Sequence, residues 1–180
     1  MLQDSQAIII DADAIARAAT APGGSAMQAI RLQLGDEYVA ADGALDRARM
    51  RKLAFSDPAA KEKLERIVHP LVRDAIQLQT RQAEQRHPPC IVYDIPLLVE
   101  SGQWRQTLDR VVVVDCEPDT QIQRVQQRSG LSPDAIRSIM ATQAPRLQRL
   151  QAADAVLCND GISLSQLETQ VRQVWVRFGL

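Results

Sequence analysis

The stretch Ile8-Ile9-Ile10-Asp11-Ala12-Asp13 decides how this chain is read. Three β-branched residues in a row predict a short buried strand. Two carboxylates follow at once, two residues apart, and Ala14-Ile15-Ala16-Arg17 opens a helical pattern. In parallel α/β sheets, ligands bind just beyond the carboxyl ends of the strands, and Asp11 and Asp13 fall at that edge. Such a pair can supply a general base, a group beside a metal ion, or a helix N-cap. Aspartate is a preferred cap residue, and Asp13 is the candidate for it. Spacing alone leaves these readings open.

Three further runs share the character of the first: Cys90-Ile91-Val92-Tyr93-Asp94, residues 110–115 with four valines inside, and Ala155-Val156-Leu157-Cys158-Asn159. None alternates apolar with polar, which predicts strands buried on both faces of a parallel sheet. Helical patterns separate them, so the expected class is α/β with right-handed crossovers and helices on both faces. A helix is expected over 26–34, stopped by Gly35, and a basic one over 46–55. Asp57-Pro58 starts a long helix with Leu64, Ile67, Val68, Leu71, Val72, Ala75 and Leu78 at helical spacing. Pro70 predicts a kink in it, with His69 at the junction. A histidine there is more often packed and hydrogen-bonded than functional. The last helix, about 163–178, would turn Leu164, Leu167, Val171, Val174 and Trp175 inward. No repeat or linker interrupts the 180 residues, so a single domain is expected.

The totals exclude several classes. No apolar run approaches the ~20 residues that span a bilayer, and Met1-Leu2-Gln3-Asp4-Ser5 carries no signal-peptide pattern. A net charge of -1 argues against a general nucleic-acid binder. Cys90, Cys116 and Cys158 form no CxxC pair. They are expected as three small buried side chains in a reducing, cytoplasmic setting. Two isolated histidines make no metal site, and no metal ligand is assigned.

Residues 121–153 hold five arginines, Arg124, Arg128, Arg137, Arg146 and Arg149, against one acid, Asp134. Arg124 and Arg128 lie four apart, where like charges repel on a helix. Such a cluster suits a bound anion, because the planar guanidinium fork matches phosphate oxygens. A solvated basic surface is the plainer alternative. Arg47, Arg49 and Arg51 form a weaker second group.

Together these stretches resemble dephospho-coenzyme A kinase, a P-loop kinase family. The matching residues are Ile10-Asp11-Ala12-Asp13-Ala14-Ile15-Ala16-Arg17, Leu64-Glu65-Arg66-Ile67-Val68-His69-Pro70 and Asp94-Ile95-Pro96-Leu97-Leu98-Val99-Glu100. They continue through Gln121-Ile122-Gln123-Arg124, Arg128-Ser129-Gly130-Leu131-Ser132, Gln143, Arg149 and residues 153–161. The resemblance implies transfer of the γ-phosphoryl of ATP, with Mg²⁺, to the ribose 3′-hydroxyl of dephospho-coenzyme A, the last step of coenzyme A biosynthesis. Asp13 would accept the hydroxyl proton, with Asp11 beside the metal. Arg124, Arg128 and Arg149 would close over the triphosphate, the last two within a lid of about 128–150. Arg47 and His69 would serve the acceptor in a helical insertion of about 22–88. Asn159 and Gly161 would contact the adenine side of ATP. No nucleic acid or membrane partner is implied, and oligomeric state is not legible.

One departure from the family pattern is large. The motif G-x-x-x-x-G-K-[ST], whose backbone cradles phosphate, does not occur. The only lysines are Lys52, Lys61 and Lys63. The resemblance begins at the family's second strand, so an N-terminally short, inactive kinase is expected. A non-catalytic coenzyme A- or nucleotide-binding relative and another small nucleoside-phosphate kinase are the alternatives. The missing first strand would be central. The strands beginning at Ile8 and Cys90 would then lie on one side of it, and those at Val111 and Ala155 on the other. The gap would remain a groove or close by direct pairing of the second and third strands present.

Overall fold

The computed structural model describes residues 6–102 and 104–180, so the expectation on the first five residues lies outside it. The chain forms two compact units, one ending at Pro96 and the other Leu97–Leu180, where a single domain was expected.

In the first unit, β1 (Ile8–Asp11) runs into α1 (Ala12–Ala19) with no intervening loop. That is possible because Asp11 is both the last strand residue and the N-cap. Its backbone is extended (φ -95°, ψ 107°), and its Oδ1 accepts a hydrogen bond from the Ala14 N–H at 2.8 Å. The helix thus starts two residues earlier than its apolar pattern suggests, and Asp13 is not the cap. Then come α2 (Met27–Leu34), a 3₁₀ turn (Asp36–Tyr38), α3 (Arg47–Ser56), α4 (Pro58–Glu84) and β2 (Ile91–Asp94). Asp46 caps α3 through the N–H groups of Ala48 and Arg49. Asp57 caps α4, with Pro58 in its first turn, as expected.

Pro70 does not divide α4, which continues through all 27 residues, about 40 Å at the α-helical rise. Its missing N–H and ring act on one turn only, while the apolar stripe on either side holds the helix in place. Ile67 from that stripe joins Ala19, Ala26, Met27 and Ile30 in the core, with Leu64, Val68 and Leu71 packed against it. Leu78, at the stripe's far end, is exposed. Gly24 lies against the end of α1: a Cβ there would meet the Ala19 carbonyl oxygen. That close approach is why the turn after α1 carries glycine. β1 and β2 pair in parallel, from Ile8↔Ile91 to Asp11↔Asp94.

The second unit contains α5 (Leu98–Ser101), β3 (Val112–Asp115), α6 (Pro118–Ser129), α7 (Pro133–Ala141), α8 (Arg146–Gln151), β4 (Ala155–Cys158) and α9 (Leu164–Arg177). β3 and β4 pair in parallel, from Val112↔Ala155 to Asp115↔Cys158. The Asp154 carboxylate locks the entrance to this ladder. It accepts from the Val111 N–H at 2.7 Å and pairs with Arg105. The Val111 hydrogen bond, helped by the nearby arginines, holds its pKa below the usual carboxylate value.

Three expectations are corrected here. The strands are not buried on both faces: Val114 is 61% and Val156 43% exposed, because each ladder has only two four-residue strands to cover. Cys158 is likewise exposed, while Cys90 and Cys116 are half-buried. Leu164 is exposed too, since it occupies the first turn of α9, beyond the ladder it would cover. Among the described residues each sheet has two strands, β1 with β2 and β3 with β4. The outer edge of β4 is closed by a side chain. The Gln170 amide of α9 accepts from the Cys158 N–H at 2.8 Å and donates to its carbonyl at 3.0 Å. That amide satisfies the groups a further strand would seek.

Ile30 is fully buried in the core whereas Leu32, two residues on, is 80% exposed. Chemical denaturation of Ile30→Ala should show a loss of about 2–5 kcal/mol. Leu32→Ala should stay within about 0.5 kcal/mol of wild type.

Candidate active site

The first unit holds a cleft of about 320 Å³, lined by Asp13, Arg17, Thr20, Arg47, Glu65 and His69, with Leu45, Leu64 and Val68 as apolar wall. Asp13, Arg47 and His69, singled out from sequence, thus come together from α1, α3 and α4. Asp13 sits in the first turn of α1, where the helix dipole favours an anion. Its carboxylate is 63% exposed, and Arg17, 4.0 Å away, is its partner. Because Asp11 has taken the cap, the Asp13 oxygens remain available to a ligand. Asp11 also pairs with Arg17 at 3.5 Å, so one guanidinium steadies both carboxylates.

Arg47 is aimed by Thr20. The buried Thr20 hydroxyl donates to the Ala16 carbonyl at 2.9 Å and accepts from Arg47 Nη2 at 3.0 Å. His69 is exposed and makes no hydrogen bond among the described residues. It is therefore not the packed histidine that a helix junction would imply. The unbroken α4 instead presents it one turn after Glu65, on the wall of the cleft.

The second unit carries the arginines, and most are already engaged. Arg146 makes a bidentate contact with the buried Asp115 at 2.7–3.0 Å and also binds Glu117. The Asp115 hydrogen bonds, then those of Glu117, raise its pKa above the ordinary arginine value. Arg137 pairs with Asp134, Arg149 donates to the Ala144 carbonyl at 2.8 Å, and Arg124 donates to the Asn159 carbonyl at 2.8 Å. Arg128 alone of the five makes no hydrogen bond or ion pair among the described residues. The acids that compensate Arg146, namely Asp115 and Glu117, lie outside the window 121–153. Gly161 follows Asn159 by two and has a left-handed φ of 62°, which favours glycine.

Sequence reasoning missed Thr20, which carries no motif of its own. It quoted Arg17 and Glu65 without assigning either a role. Their spacing from Asp13 and His69 on the same helix faces was the available signal.

As regards a metal, no three His, Cys, Asp or Glu residues among those described are grouped to hold an ion. No helix among the described residues is long and apolar enough to cross a membrane.

Short parallel strands with helices between them, and an available acid at a carboxyl end, place the chain in the α/β class. Solved structures share the fold. A Thermus thermophilus protein, TT1252, matches with a TM-score of 0.77 and 32% identity over 98% of this chain and 87% of its own. A Campylobacter jejuni dephospho-CoA kinase at 22% identity shares the fold with a TM-score of 0.68, over 98% and 87%. The chain belongs to the dephospho-CoA kinase family, whose model matches residues 1–165. Relatives named dephospho-CoA kinase include one from Albidiferax ferrireducens, 49% identical over all of this chain and 85% of its own length. Another, from Bordetella parapertussis, is 57% identical over 89% of this chain and 74% of its own. Members of the family are transferases that phosphorylate an alcohol, with ATP as donor.

Removing Arg146 would leave the buried Asp115 carboxylate without its main partner. Thermal melts should show Arg146→Ala destabilised by about 1–3 kcal/mol, the cost of a buried unsatisfied polar group. Arg128→Ala should melt with wild type.

Proposed function

We propose that Asp13 is the general base for ATP-dependent phosphorylation of the ribose 3′-hydroxyl of dephospho-coenzyme A, and that the cleft around it receives the acceptor. The observation carrying this is the division of labour between the two acids: Asp11 is spent on the cap and Asp13 is not. Phosphoryl transfer depends on positioning and charge stabilisation more than on covalent help. An acceptor hydroxyl within reach of the Asp13 carboxylate gives up its proton there. Arg47, held by Thr20, and His69 orient the acceptor, while Leu64 and Val68 cover its apolar surface. Mg²⁺ would be held by the substrate phosphates, near the strand end that carries Asp11, and would neutralise charge on the transferring group. On the donor side, Arg124, Asn159 and Gly161 take the adenine end of ATP, and Arg128 and Arg149 neutralise phosphate charge. Arg128 is the best placed, since its guanidinium has no competing partner in its own unit.

The 180 residues contain no G-x-x-x-x-G-K-[ST]. A polypeptide of these 180 residues should therefore turn over ATP far more slowly than one carrying a strand and such a loop ahead of Ile8. A coupled ADP-release assay on the two checks this, and comparable rates would refute it. A chain that binds coenzyme A without turnover in either form would instead favour a non-catalytic relative.

In the loop-bearing form, Asp13→Asn should lower kcat by roughly 10²–10⁴-fold and leave ATP affinity unchanged. The amide keeps the carboxylate's shape but takes no proton. An unchanged kcat would remove Asp13 from the chemistry.

A further inference from the structure

We propose that Asp160, together with Thr120, is the positioning residue that fixes the adenine end of ATP. It does so by clasping the loop after β4 onto the start of α6. The proposal rests on the preceding assignment of Asn159 and Gly161 to that end of the nucleotide.

Asp160 lies between those two residues, and both of its oxygens reach across 40 or more residues of sequence. Oδ1 accepts from the Thr120 hydroxyl at 2.7 Å, and Oδ2 accepts from the Glu117 N–H at 3.3 Å. Glu117 is the N-cap residue of α6, yet its own side chain makes no capping bond. That side chain is turned to Arg146 instead. Asp160 therefore ties both the residue ahead of α6 and the first turn of that helix to the loop after β4. About one turn beyond Thr120, Arg124 of the same helix returns the contact, donating to the Asn159 carbonyl at 2.8 Å. The loop is thus tied to α6 through the residues on either side of the Asn159–Asp160 peptide. The Asp160 carboxylate is held below its ordinary pKa, chiefly by the Thr120 hydrogen bond, so the clasp is charged at neutral pH. A base-binding loop without these ties would have to be ordered by the ligand itself, and that ordering subtracts from affinity. With them, Asn159, Gly161 and Arg124 are set before ATP arrives.

The test uses the purified 180-residue chain and measures its affinity for adenosine and for ATP, together with its melting temperature. Asp160→Ala and Thr120→Val remove the clasp from either side. Each should weaken both ligands by about tenfold, the equivalent of ~1.4 kcal/mol, with the melting temperature held. Thr120→Ser restores the hydroxyl and should bind as wild type. Variants that bind as tightly as wild type would overturn the clasp role alone. So would affinity that falls only in step with the melting temperature, or that Thr120→Ser fails to rescue, since those mark a merely structural contact. A wild-type chain that binds neither adenosine nor ATP would overturn the nucleotide assignment and the clasp with it.

Discussion

The hydrogen bond from the Ala14 N–H to Asp11 Oδ1 is the constraint on which the rest of the candidate active site depends. A helix must satisfy its first N–H groups from outside itself. By meeting that need with the last residue of β1, the chain dispenses with a loop between strand and helix. The consequence is geometric. α1 begins at the carboxyl edge of the ladder, so its first turn, with Asp13, stands where α/β folds bind their ligands. It is also chemical, because the acid that caps is not the acid that must stay available.

The same economy recurs elsewhere. Backbone groups that regular structure leaves over are met by side chains from distant positions. Gln170 closes the edge of β4, Asp154 anchors the entrance of the β3–β4 ladder, and Thr20 finishes α1 while aiming Arg47. In each case a polar side chain both satisfies a structural need and holds a neighbour in place. The arginine-rich segment obeys the same logic. Its charge is distributed over carboxylates and carbonyls, so that Arg128 is left uncommitted among the described residues while Arg146 is bound to Asp115.

Much of this was legible beforehand. The helix start at Asp57 shows in the sequence because its chemistry is local: an acceptor beside a run of helix formers. All four strands appear at continuous apolar runs, and in three of them β-branched residues cluster. The family resemblance, carried by motifs spread along most of the chain, agrees with the relatives that match it. The errors also have a common cause. Burial of the strands, the exposure of Cys158 and His69, and the partners of the arginines are all set by residues far away in sequence. A continuous valine run states that a strand will form, but not how many neighbours will cover it.

The sequence by itself determined the element types, their order, the helix starts at Asp46 and Asp57 and the α/β class, because each follows from interactions within a few residues. It also placed Asp11 and Asp13 at a strand end. Only the tertiary structure decided which of the two is consumed as a cap, since that turns on where the strand stops and the first helical N–H falls. Only the tertiary structure brought Thr20 to Arg47 and Asp160 to Thr120, over 27 and 40 residues of chain. Contacts of that length leave no periodicity to read. They arise when packed helices bring together side chains whose own neighbours in sequence do not specify them.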